Sequence, residues 1–153
     1  MIKNFFIISA ILLLTNCGYQ PLFVDKDNLL LKFSEISTDG NEEINRKIIS
    51  TIRINKTKDL ANSYLLKINS NKEKQIAAKN SSGDVTSYKM MIIINISLIN
   101  PNDNNKVVKS KEFNTSFTYN NADNKFQLSQ DEKNIINNLI ETVSGKIVIY
   151  LNS

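Results

Sequence analysis

The chain has no histidine and no tryptophan, one cysteine, two prolines and four glycines. Without an imidazole, the usual zinc centres and the histidine-assisted serine nucleophiles cannot be assembled, and a lone cysteine cannot form a thiolate cluster. Gly18, Gly40, Gly83 and Gly145 stand apart, so there is no glycine-rich loop to cradle a phosphate. A carboxylate pair such as Glu42 with Asp131 is chemically open as an acid and base, although acids in a first helical turn have the simpler role of complementing the helix dipole. No enzyme, no metal and no nucleic-acid partner is expected. Charge is nearly balanced, with 19 basic and 15 acidic residues. That mild excess suits an anionic partner without demanding one. The abundance of Asn, Lys and Ile reads as an AT-rich coding sequence, so raw lysine counts carry little weight.

What is present begins at the amino terminus. Lys3 precedes a largely apolar run from Phe5 to Leu14, followed by Thr15, Asn16, Cys17 and Gly18. A hydrocarbon core of about 30 Å needs roughly 20 helical residues, so this run is too short to span it and reads as an address to be cleaved. Residues 1–16 are expected to be a lipoprotein signal peptide, with Leu14, Thr15, Asn16 and Gly18 as the recognition residues and Cys17 as the acylated first residue of the mature protein. The only expected additions are the acyl and diacylglyceryl groups on Cys17, because a single chain anchors only marginally. Gly18, rather than an acid, follows the cysteine, which favours the outer membrane. Removing 16 residues from 153 leaves 137, enough for one core. Without Lys3 the mature net charge is +3, from 18 bases and 15 acids.

Residues 17–28 read as an acylated tether, with Pro21 denying a helix, and residues 29–153 as one periplasmic domain. Leu29 to Ile36 is the expected first strand, and Ser37 to Asn41 the turn into a helix. Ile44, Ile48 and Ile52 mark that helix at fourfold spacing through about Arg53. From Ser63 the period becomes two, and Asn80 to Asp84 supplies a hairpin turn. The next strand, from about Val85 to Ile99, places Tyr88, Met90, Ile92, Ile94, Ile96 and Leu98 on one face. Asn100 to Asp103 breaks it, and Val107 to Tyr119 forms the last strand. After a polar loop from Asn120 to Lys125, Ser129-x-x-Glu132 has the form of a capping box, opening a helix with its stripe at Ile136, Ile140, Val143, Ile147 and Leu151. The expected fold is α+β: a two-layer sandwich, its four-stranded mixed sheet covered on one face by two amphipathic helices, in the order β-α-β-β-β-α.

Cys17-Gly18-Tyr19-Gln20-Pro21-Leu22-Phe23 is similar to the Cys-Gly-Phe/Tyr-x-Pro-Leu start of lipopolysaccharide-assembly lipoproteins of the LptE type, and the element order resembles theirs. The resemblance implies a partner rather than a reaction. Such proteins plug the lumen of the outer-membrane β-barrel LptD, assist its assembly and are reported to bind lipopolysaccharide. A free-standing lipid or lipoprotein carrier is the alternative, and an envelope hydrolase a distant third. A turn centred near Ser82 and Gly83 sets Lys72 and Lys74 across from Ile92 and Met90, near Tyr88, while Lys109 and Lys111 share face parity with Phe113. These four lysines are the expected contacts for a phosphorylated lipid head group and its acyl chains. The plainer account is solvated lysines, or edge charges that discourage strand aggregation.

Overall fold

The computed structural model describes residues 31–153 apart from 55, 60 and 62. The expected signal peptide and tether therefore lie outside the described residues. The elements run β1 (Phe33–Gly40), α1 (Glu42–Thr51), β2 (Tyr64–Lys79), β3 (Val85–Asn100), β4 (Lys106–Asn120) and α2 (Lys125–Asn152). They form a mixed sheet in spatial order β1-β2-β3-β4, in which β1 and β2 are parallel and the other neighbours antiparallel. The parallel pair is joined through α1, since a parallel connection needs a crossover, whereas tight turns suffice for the antiparallel ones. This is the α+β two-layer arrangement expected.

Strict alternation in β3 decides where the core sits. Met90, Ile92, Ile94, Ile96 and Leu98 are at most 2% exposed, and their neighbours across the register, Leu66 and Ile68 of β2 and Phe113 of β4, are buried with them. Onto this face α1 lays Ile44 and Ile48 with the adjoining Ile52, and α2 lays Ile140, Val143, Ile147 and Leu151. Each fully buried aliphatic side chain contributes about 1.5–3 kcal/mol relative to exposure. The helical stripes and the strand alternation thus close a single layer between helices and sheet.

Two boundaries differ from expectation. The first strand ends at Gly40 rather than Ile36, because Ser37, Thr38 and Asp39 pair with Lys67, Ile68 and Asn69 of β2 instead of turning. The turn shrinks to Gly40 and Asn41. Gly40 has φ +82°, and a Cβ there would collide with the Ser70 carbonyl, so only glycine permits the close approach. Asn41 then caps α1, its Oδ1 accepting from the Ile44 amide at 3.0 Å. The second difference is at α2. It begins at Lys125, capped by Asn124, whose Oδ1 accepts from the amides of Phe126 and Gln127 at 3.1 Å each. Ser129 and Glu132 are inside the helix and form no capping box. Asn124 satisfies the free amides one turn earlier, and burial of Leu128 holds the added turn against the core.

β2 and β3 are 16 residues each, about 50 Å if fully extended. Their far end outreaches the helices: Ile76 is 54% exposed and Lys74 to Lys79 are all exposed. The hairpin turn is held by Asn80, whose Oδ1 accepts from the amides of Ser82 and Asp84. Among the described residues no helix is long and apolar enough to cross a membrane.

Candidate functional site

Lys72 and Lys74 are opposite Ile92 and Met90, and Lys109 and Lys111 opposite Leu98 and Ile96. All four therefore project from the helix-bearing face. They do not gather into one site. Lys74 approaches Glu132 of α2 and Lys109 reaches Tyr150 of the same helix, 18 residues further on. At 1.5 Å per residue the two positions are about 27 Å apart along the helix.

The first group is tied to the protein itself. Lys74 Nζ donates to Glu132 Oε1 at 2.6 Å and sits 4.0 Å from the centroid of the Tyr88 ring. Tyr119 donates its hydroxyl to the same carboxylate oxygen at 2.7 Å, and its ring is 6.0 Å from that of Tyr88. Burial pulls the Glu132 carboxyl toward neutrality, but the hydrogen bonds from Lys74 and Tyr119 outweigh it and hold the acid below its ordinary range. Burial and the neighbouring Glu132 carboxylate push the Tyr119 phenol far above its ordinary range. Lys72 is exposed nearby, and its charge also favours ionised Glu132 and ionised Glu43 of α1.

The second group faces solvent. Between β4 and the last turns of α2 lies a groove of about 480 Å³, lined by Lys111, Phe113, Lys146, Ile149 and Tyr150, with Glu112 at its side. The rings of Phe113 and Tyr150 meet edge to face at 5.7 Å, and Lys111 Nζ is 5.3 Å from both centroids. Lys109 Nζ is 3.4 Å from the Tyr150 carbonyl, near the negative end of the helix dipole. Ile149 is 57% exposed beside these cations. Ammonium groups beside aromatic and aliphatic surface can hold an anion attached to an apolar body.

A family model for lipopolysaccharide assembly, LptE, matches residues 33–151, which is the whole sheet-and-helix domain. The chain belongs to the LptE family. Rare lipoprotein B from Shewanella oneidensis shares the fold, with a TM-score of 0.58, 12% identity, and coverage of 76% of this chain and 92% of its own. A minor lipoprotein from Acinetobacter baumannii is similar at TM-score 0.59 and 10% identity, covering 80% of this chain and 92% of its own. Lipoprotein B from Nitrosomonas europaea reaches TM-score 0.58 at 17% identity, covering 77% and 81%. No curated protein sequence matches this LptE-family chain.

Leu14, Thr15, Asn16, Cys17 and Gly18 lie outside the described residues. Lys146 and Tyr150 were not expected at the site. Their helix position was readable, but which side of α2 meets β4 is a matter of packing. Tyr119 and Glu132 were likewise hidden as partners, being 13 residues apart on different elements. Among the described residues no three acids or other metal-ligating side chains gather.

Proposed function

We propose that this LptE-family chain is an outer-membrane lipoprotein, anchored by acyl groups on Cys17, that plugs and helps assemble an LptD-type β-barrel during lipopolysaccharide transport to the cell surface. The family match over residues 33–151 carries this reading. A second observation supports the plug role. The sheet face away from the helices presents the amides and hydroxyls of Asn69, Asn71, Asn95, Ser97, Ser110 and Asn114 together with the charged Lys67, Glu73, Lys89 and Glu112, around a small apolar patch at Met91 and Ile93, so most of it offers hydrogen bonds and charge. Such a surface suits the polar wall of a barrel lumen. Lipopolysaccharide binds directly in this reading, its phosphates at Lys109, Lys111 and Lys146 and its apolar part against Ile149 and Tyr150. Lys72 and Lys74, next to Glu132 and Glu43, are weaker contacts. A free carrier would need an enclosed apolar chamber, and the β4–α2 groove is instead lined by exposed Ile149 and Lys146.

The decisive experiment is detergent extraction of the outer membrane followed by purification through a tag on this protein. A large β-barrel is expected in about equal amount, and its absence overturns the plug reading. Mass spectrometry of the same material is expected to find a triacylated Cys17 at the amino terminus. An intact Met1 overturns the anchor. For the lipid, replacing Lys109, Lys111 and Lys146 by Gln is expected to weaken lipopolysaccharide binding about tenfold, and replacing Lys72 and Lys74 by Gln to weaken it less. Unchanged binding in the triple variant removes direct binding at this groove.

A further inference from the structure

β4 is the last strand of the sheet, and its outer edge pairs with nothing among the described residues. The Asn121 amide donates to the Thr86 carbonyl at 2.8 Å, which makes 86 and 121 a hydrogen-bonded pair. Antiparallel pairs alternate, and the register is unbroken from Ser87–Asn120 to Leu98–Lys109. The amides and carbonyls of Ser110, Glu112, Asn114, Ser116 and Thr118 therefore point outward, away from β3. That is a row of five residues with no backbone partner among the described residues, on a strand 15 residues long, where most edges are short, bulged or covered.

Along the helix side of the same edge run two hollows. One is the groove beside Lys111 and Lys146. The other, of about 290 Å³, is lined by Thr115 and Phe117 of β4 and by Ile135, Leu139 and Thr142 of α2. Phe117 is 54% exposed there. Their β4 linings are centred three to four residues apart, about 12 Å. Side chains at i and i+4 of a strand lie on one face and are about 13 Å apart, so one added strand reaches both hollows. The hollows differ in chemistry: two ammonium groups outnumber the single Glu112 carboxylate at the first, whereas the second holds no charged group and sets Phe117, Ile135 and Leu139 among Ser116, Asn138 and two threonines.

We propose that the free edge of β4 receives an extended segment of another polypeptide, adding a fifth strand. Its backbone pairs with the five outward residues, a carboxylate side chain meets Lys111 and Lys146, and an apolar side chain four residues away fills the hollow at Phe117, Ile135 and Leu139. Main-chain bonds supply most of the affinity and the two hollows supply selectivity. This goes beyond the barrel-plug reading, and because the lipopolysaccharide phosphates proposed above use the same Lys111 and Lys146, strand and lipid compete for that groove.

The test uses the mature, lipid-bearing protein in detergent and a synthetic peptide in which threonine alternates with glutamate, valine and leucine, so that glutamate and leucine are four apart. At about 1 mM peptide, hydrogen exchange at the amides of residues 110, 112, 114, 116 and 118 is expected to slow by about tenfold or more. A peptide with lysine for glutamate is expected to bind at least about fivefold more weakly. Ser116→Pro is expected to abolish the protection. Its amide points outward, so the substitution removes no bond to β3 and is tolerated on an edge. Thr118→Pro, also outward, serves if Ser116→Pro lowers the yield of folded protein. Absent protection, or binding indifferent to both proline variants, overturns the proposal. Anionic phospholipid vesicles that bind through Lys111 and Lys146, with no peptide protection, would assign the groove to a lipid instead. Concentration-dependent dimers with the edge amides protected in the absence of peptide would assign it to a second copy. Copurification of a barrel is unaffected by these outcomes, so the two readings fail separately.

Discussion

Lys74 Nζ lies 2.6 Å from Glu132 Oε1, joining the outer half of the β2–β3 hairpin to the second turn of α2 across 58 residues of sequence. With Tyr119 donating to the same oxygen, the carboxylate links β2, β4 and α2 where the helix cover ends. Below this point the sheet is covered, and beyond it the hairpin stands in solvent.

Glu132→Gln is expected to destabilise the fold by about 1–2 kcal/mol, kept modest because Lys74 is 38% exposed and water screens the pair. The loss should be concentrated locally. Hydrogen exchange at Gln75, Tyr88 and Tyr119 is expected to quicken, with little change at Ile94 or Ile96. Uniform quickening throughout the sheet would contradict a local clamp.

The same contact makes stability depend on pH at both ends. Glu132 is held below its ordinary 4.5, so its contribution is complete above that value and is lost as pH falls through the lowered native value. Tyr119 is raised above its ordinary 10.0, so its contribution is complete below that value and is lost as pH rises past it. Urea unfolding from pH 3 to 11 is expected to show a plateau with two falling limbs. Glu132→Gln should flatten the acid limb, and Tyr119→Phe the alkaline one.

Asn124→Ala is expected to cost about 1 kcal/mol, the usual value for a cap that accepts from helical amides. Ser129→Ala, at an exposed interior position of α2, is expected to change stability by less than about 0.5 kcal/mol. Thermal unfolding of the two variants separates the observed helix start from a capping box at Ser129.

Gly40→Ala is expected to cost at least about 2 kcal/mol, because φ is positive and the new methyl would strike the Ser70 backbone. Gly83→Ala has positive φ but open space around it, and about 1 kcal/mol is expected. Equal losses at the two positions would show that Ser70 moves aside.

The element order, the alternation of β3 and the apolar stripes of both helices were legible because each is a local period with one buried face. The register of Lys72 and Lys74 against Ile92 and Met90 was legible for a related reason. A short hairpin turn fixes pairing outward from itself, and the turn residues Asn80 to Asp84 mark its place. Boundaries were less so. Ser37 to Gly40 have a turn's composition, yet β2 recruits them through backbone bonds that any side chain permits. At α2 the residues Ser129 and Glu132 match a cap, but Asn124 competes for the same role five residues earlier and wins because Leu128 gains burial.

Which residues belong to one layer, and that the layer closes a single core, follow from periodicity along the chain. Which charged groups meet does not. Lys74 with Glu132, Lys111 with Tyr150, and the division of four lysines into two groups about 27 Å apart depend on how α2 rolls and slides across the sheet. Burial patterns are written locally, because one side of a strand or helix must leave water. Contacts between distant surface groups exist only once that packing has been made.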